Sequence, residues 1–181
     1  MSNQKKPGFP PGTLFRTDIA DPKERIEAYL NTYRALPRYE SFDEQVMSEH
    51  LQLVVATSEP AATATFQMRV THNLCSRMGN MHGGCVSLIF DMCTTMCGAS
   101  IARPDFWRFG GLSRNLTVNF FRPTKKDTLI EIHCEVIQIG SRLCTIRGEM
   151  RDVETKKLLS TAEHTKARLP EMDGGEEKAA L

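Results

Sequence analysis

The stretch from Asn73 to Ile101, NLCSRMGNMHGGCVSLIFDMCTTMCGASI, constrains the fold more than any other part of the chain. A loop carrying Asn73, Gly79 and Asn80 leads into His82-Gly83-Gly84, and a long proline-free run follows. That run predicts a helix beginning near Gly83. At 3.6 residues per turn, Thr94, Ser87, Gly98, Asp91, Gly84 and Thr95 fall within one arc of about 100°. Val86, Leu88, Ile89, Phe90, Met92 and Met96 share the rest of the circumference with small apolar residues and cysteines. A surface helix carries a narrower apolar stripe, so this one must be wrapped by protein on most sides. Asp91 is the single carboxylate in the small, polar seam. Burying it unpaired would be costly, so the seam is expected to face a site or an interface.

On both sides of this helix the apolar period changes to two. In Ala62–Val70 the residues Ala62, Ala64, Phe66, Met68 and Val70 alternate with Thr63, Thr65, Gln67 and Arg69, the mark of a strand with one buried side. Leu51–Thr57 is apolar and β-prone, and Ser58-Glu59-Pro60 turns the chain between these two strands. After the helix, Leu112–Phe121 alternates with Leu116, Val118 and Phe120 on one face. Three more strands are expected at Thr128–Ile139, Leu143–Arg151 and Leu158–Arg168, joined by short turns. Short turns imply antiparallel neighbours. The expected class is therefore α+β, with a curved antiparallel sheet of about six strands wrapped around one long central helix, because each half-buried strand can cover its apolar face that way.

The first fifty residues read as an extension (1–50) ahead of a single domain (51–169). Asp21-Pro22 opens a helix with Asp21 as its cap, and Ile26, Tyr29, Leu30 and Tyr33 recur at helical spacing until Pro37. A second helical piece, Ser41 to Glu49, starts like a capping box. The acidic, Gly-rich tail 170–181 is expected to be disordered. A net charge of +1 gives no global electrostatic case for nucleic acid or a membrane surface. The central helix is the one apolar run near membrane-span length, and Asp91 with its polar neighbours argues against a span. MSNQKKPGFPPG has no apolar signal core, so a cytoplasmic or mitochondrial protein is expected. The six cysteines form no CxxC pair and read as reduced thiols. Cys93 and Cys97 share a helix face without a further ligand and read as small buried hydrophobes, and neither a metal nor a cofactor is expected.

HNLCSRMGNMHGGCVSLIFD, followed by GGLSRNLTVNFFRP and a final EHTK, resembles the hotdog acyl-coenzyme A thioesterases of the PaaI type, the acyl-CoA thioesterase 13 group above all. The resemblance spans roughly residues 50–168. Its pattern is an Asn, then Gly-x-x-His-Gly-Gly, then an Asp nine residues after the His, matched by Asn73, Gly79, His82-Gly83-Gly84 and Asp91. A Ser ten residues before a strand-ending Pro is matched by Ser113 and Pro123. Asn73 stands farther ahead of His82 than in the family, and Asn80 is the alternative for its role.

Chemistry can be argued from the residues themselves. Thioester hydrolysis needs a polarised carbonyl and an activated water. A helix N-terminus offers unpaired amides and a partial positive charge, and glycines there let a carbonyl oxygen approach the backbone. The Gly83 amide is thus a candidate oxyanion donor assisted by Asn73 or His82, with Asp91 as general base or nucleophile. Asp91 lies about 10.5 Å along the axis from Gly84 at 1.5 Å per residue, too far for one chain to bring both to a single carbonyl. The resemblance implies a composite site in a homo-oligomer, a dimer or a dimer of dimers. Asn73, His82 and Gly83 would come from one chain, Asp91 and Ser113 from another. Gly84, Arg122, Lys125 and Lys126 are the candidate substrate contacts, the basic residues for the phosphates of coenzyme A. Bland readings stand beside these: a structural His82, glycines that serve only helix entry, a solvated basic turn. A hotdog hydratase or dehydratase, and a catalytically silent acyl-CoA-binding or interaction module, are the alternative functions.

Overall fold

The computed structural model describes residues 13–35 and 42–169. Helix α1 spans Pro22–Ala35, and the central helix α2 spans Gly83–Gly98. The strands are β1 (Gln52–Thr57), β2 (Thr63–Arg69), β3 (Leu112–Phe120), β4 (Leu129–Ile139), β5 (Leu143–Asp152) and β6 (Leu158–Ala167). They form one antiparallel sheet in the order β1-β2-β4-β5-β6-β3, as the short turns require. The long loop after α2 carries the chain to the far edge, where β3 pairs with the last strand, β6. β1 and β3 are therefore the two edges.

The sheet curls around α2. Ala64, Phe66 and Met68 of β2, Ile130, Ile132 and Cys134 of β4, and Ile146 and Met150 of β5 point inward and are buried. Val86, Ile89, Phe90, Cys93, Met96 and Cys97 of α2 meet them. Gly148 of β5 sets the distance, since a Cβ there would lie 2.7 Å from the Phe90 ring. Thr94 and Gly98, which the helical projection places in the polar seam, are buried against the sheet instead. Small side chains allow that close approach. The inward positions of β6 are Ser160, Ala162, His164 and Lys166, all buried. Polar seam thus meets polar strand. By length and composition Gly83–Ile101 could cross a membrane; here it is the core helix of the sheet. Cys93 and Cys97 are fully buried in it, and burial pushes the Cys97 thiol up to about 12.

The described part of the extension belongs to the same core. Asp21 caps α1 by accepting the Glu24 amide at 2.8 Å. Phe15, Ile26 and Leu30 are fully buried, and the Tyr29 ring stacks edge-on against Phe15 at 5.1 Å. The second helical piece forms one wide turn, Val46–His50. Ser41 of its capping box, Pro37 and the tail 170–181 lie outside the described residues.

Strand β3 departs from its alternation. Leu116 and Val118 are only half-buried, and Leu112 and Phe120 are 48% and 55% exposed. As an edge strand it has one ladder, to β6, and neither of its faces is fully covered within the chain.

Candidate active site

The loop before α2 is held by its backbone. The His82 amide donates to the Leu74 carbonyl at 2.9 Å, and the Met81 amide to the Thr124 carbonyl at 2.7 Å. His82 then caps the helix, its extended backbone (φ −66°, ψ 135°) leading into Gly83 and its Nδ1 accepting the Gly84 amide at 3.0 Å. That bond occupies the Gly84 N–H. The Gly83 N–H is exposed and has no hydrogen-bond partner among the described residues. It opens onto a pocket of about 340 Å³ lined by Met81, Val86, Phe120, Phe121, Arg122 and Thr124. The Phe120 ring is the nearest wall, 3.6 Å from where a Gly83 Cβ would stand.

Asn73 sits in the loop beside the Leu74–His82 contact, exposed, with its Oδ1 accepting from Thr71 Oγ1. Asn80 is committed to the loop, its carbonyl accepting the Ser76 amide at 2.7 Å and its backbone bridging Lys125. Arg122 lines the pocket and donates to the Leu158 carbonyl at 2.7 Å. Lys125 and Lys126 are exposed; Lys126 Nζ stands 3.8 Å from Asp127, and its amide donates to the Gly79 carbonyl at 3.3 Å. The basic turn is therefore stitched to the loop that presents Gly83.

A second cluster forms around the middle of α2. Ser113 Oγ lies 3.1 Å from Asp91 Oδ1 and 2.9 Å from His164 Nε2, and that nitrogen is 3.5 Å from Asp91 Oδ1. The Asp91 side chain is 39% exposed while that of His164 is fully buried, so only Asp91 and Ser113 are open to an incoming molecule. His164 Nδ1 meets Thr94 Oγ1 at 2.6 Å. Lys166 Nζ donates to Thr95 Oγ1 at 2.9 Å. Burial, then the Lys166 charge, push the His164 imidazole down to about 4, against the pull of Asp91. Burial likewise lowers the Lys166 ammonium to about 8, although Asp91 favours its charge.

Of the site residues expected from the sequence, Asp91 and Ser113 meet within this chain, and Gly83 with His82 forms a separate locus one helical stretch away. Sequence reasoning passed over His164 and Lys166. A signal was present: in Leu158–Ala167 the inward register, where an apolar residue is the rule, holds His164 and Lys166.

Residues 78–159 match the family described as the Thioesterase superfamily. The solved structure of zebrafish thioesterase superfamily member 2 superposes with a TM-score of 0.68 at 22% identity, covering 78% of this chain and 96% of that one. A Streptococcus pneumoniae protein described as a "Hypothetical Thioesterase Protein", solved with coenzyme A, gives 0.58 at 16% identity over 66% and 89%. The Caenorhabditis elegans protein named "Putative esterase F42H10.6" is 26% identical over 108 residues, which span 60% of this chain and 62% of that protein.

Proposed function

We propose that this chain, whose residues 78–159 match the Thioesterase superfamily, hydrolyses acyl thioesters of coenzyme A to the free acid and the thiol. The observation that carries the reading is the exposed, unpartnered Gly83 amide at the mouth of a pocket. At the first turn of a helix that amide carries part of the macrodipole and points at whatever enters. It is a donor for a thioester oxygen that becomes an oxyanion in the transition state. Asp91, half open and beside Ser113, takes a proton from water as the water oxygen attacks the carbonyl carbon. The carbon–sulfur bond then breaks, the carbonyl re-forms, and the thiolate leaves to be protonated. Coenzyme A as the carrier is supported by the basic turn beside the pocket and by the pneumococcal protein solved with that ligand.

The two loci would work together across two chains. The axial separation along one helix, about 10.5 Å from Gly84 to Asp91, is too long for one carbonyl to touch both. β3 has an unpaired edge with Phe120 exposed, and such an edge is a template for pairing with a second copy. Antiparallel pairing of two β3 edges would carry Ser113 and Asp91 of one chain toward Gly83 of the other.

The test is a screen of acyl-CoA chain lengths with a free-thiol readout, run on the wild type and Asp91→Asn. Hydrolysis should fall by about a hundredfold or more in the variant, with an unchanged melting curve. Full turnover in a well-folded Asp91→Asn protein would remove Asp91 from the chemistry. Hydration of an enoyl thioester without thiol release would identify a hydratase, and binding with neither product an interaction module.

A further inference from the structure

We infer that Thr94 is a positioning residue: it fixes the tautomer of the buried His164 so that a bare Nε2 faces the Ser113 hydroxyl and competes with Asp91 for its hydrogen. Only the effect on turnover rests on the thioesterase reading.

Thr94 is fully buried, and its Oγ1 donates to the Phe90 carbonyl at 2.6 Å, with a longer approach to the Asp91 carbonyl at 3.2 Å. A threonine has a single hydroxyl hydrogen, and it is committed to these helix carbonyls. Towards any third atom Oγ1 can only accept. The third atom is His164 Nδ1 at 2.6 Å, so Nδ1 must carry a hydrogen. In a neutral ring the other nitrogen is then bare.

The surroundings keep the ring neutral. His164 is fully buried on the inward face of β6, and Lys166 stands on the same face of the same strand. Burial and the Lys166 charge act together against protonation; Asp91 on α2, at 3.5 Å, acts the other way, and the ring is held down to about 4. Cys144 on β5, the other titratable neighbour of Lys166, has its thiol pushed up to about 12 by burial and so brings no negative charge at neutral pH. Ser113 on β3 is the remaining polar contact of the ring among the described residues, with Oγ at 2.9 Å from Nε2.

Ser113 also has a single hydrogen and two acceptors in reach, Nε2 at 2.9 Å and Asp91 Oδ1 at 3.1 Å. A bare Nε2 therefore competes with the carboxylate for it. A ring with Nε2 protonated would instead donate to Ser113, so the tautomer sets the direction of the hydrogen bond between β6 and the Ser113–Asp91 pair. The Thr94 methyl also has a place, with its Cγ2 3.6 Å from where a Cβ on Gly148 would stand. Valine therefore keeps the shape at this position and loses the acceptor, while serine keeps the acceptor and loses the methyl.

The experiment is ¹⁵N NMR of the full chain with labelled histidine, His164 being assigned by the signal lost in His164→Asn. The expected wild-type pattern is a neutral Nδ1–H ring from pH 8 down to pH 5.5. In Thr94→Val that pattern should give way to the Nε2–H form or to a ring that protonates nearer its ordinary range. Turnover should fall roughly ten- to a hundredfold, a fraction of a full acid–base contribution, at unchanged KM. Thr94→Ser should restore both the ring pattern and the turnover. An Nε2–H or doubly protonated His164 in the wild type at pH 7 overturns the inference, as does a Thr94→Val protein with an unaltered ring pattern. The ring readout needs no turnover. If the chain is no thioesterase, the wild type shows the expected ring and releases no thiol.

Discussion

The two ends of α2 are finished in opposite ways. At its C-terminal end, a guanidinium from α1 closes the turn that follows the helix: Arg25 Nη1 donates to the carbonyls of Ala99, the C-cap, and of Ala102 at 2.8 Å each, and its Nε and Nη2 reach the Ile19 carbonyl. Arg25 is buried, as are Ala99 and Ala102. At the N-terminal end one amide is capped by the helix's own His82, and the next is left bare beside a pocket. Every helix terminus leaves such groups unsatisfied. Satisfying them stabilises the fold, and leaving one open keeps a site for a ligand. The same helix does the first at one end and the second at the other, which predicts that substitutions at the two ends separate cleanly into losses of stability and losses of rate.

Gly83→Pro should give the largest effect. Proline is tolerated at the first helical position, and His82 already has the extended backbone that a residue before proline requires. The substitution removes the N–H, and its ring also takes space at the pocket mouth beside Phe120. We expect kcat to drop by about 10²–10³, as for loss of an oxyanion donor, with the melting temperature unchanged. Mixing this chain with Asp91→Asn under subunit exchange should return part of the activity if the site is shared. No return, with exchange verified by mass spectrometry, would place both loci in separate roles.

Arg25→Met should show the opposite pattern. It leaves the Ala102 and Ile19 carbonyls without their Arg25 donor, and the Ala99 carbonyl with the Ala102 amide alone at 3.2 Å. The cost should be about 2–4 kcal/mol from buried acceptors left unpaired. That lowers the melting temperature by roughly 5–15 °C for a chain of this size. Thermal unfolding measures it, while kcat of the folded fraction should stay near the wild-type value. A large kcat loss at a temperature where the variant is fully folded would break the division between the ends.

The open end was readable from sequence because its signals are local. His82, Gly83, Gly84 and Asp91 lie on one short stretch, and helix geometry alone separates the glycines from the carboxylate. The sheet was readable too, since a period of two survives in β2, β4 and β5. The closed end was not. Arg25 lies 74 and 77 residues from its partners, and in an amphipathic helix an arginine reads as a solvated residue. His164 was passed over for a related reason: its partners come from α2 and β3, and only the assembled sheet brings them to it. The exposure of Phe120 escaped the pattern because alternation reports which face a strand would bury, not whether a partner is present to cover it.

The smallest expected effect lies beside the open end. Lys125 and Lys126 follow Arg122 in a turn that hydrogen-bonds to the Gly83 loop through Thr124 and Lys126. Their side chains are exposed, and the Lys126–Asp127 pair at 3.8 Å is a surface contact worth little by itself. A chain with a net charge of +1 has little long-range attraction for a polyanion, so a local cluster would have to hold the nucleotide end of coenzyme A. Changing both lysines to glutamine should raise KM for an acyl-CoA by about three- to tenfold, the scale of two exposed charge contacts. The dependence of KM on salt should flatten, because exposed charges are screened. A nucleotide held there would be held equally in ground and transition states, so kcat should stay constant. A short thioester lacking the nucleotide is the control and should not respond. If KM rises equally for both substrates, or for neither, the turn is solvated surface and the pocket beside Gly83 recognises the acyl and thiol portions alone.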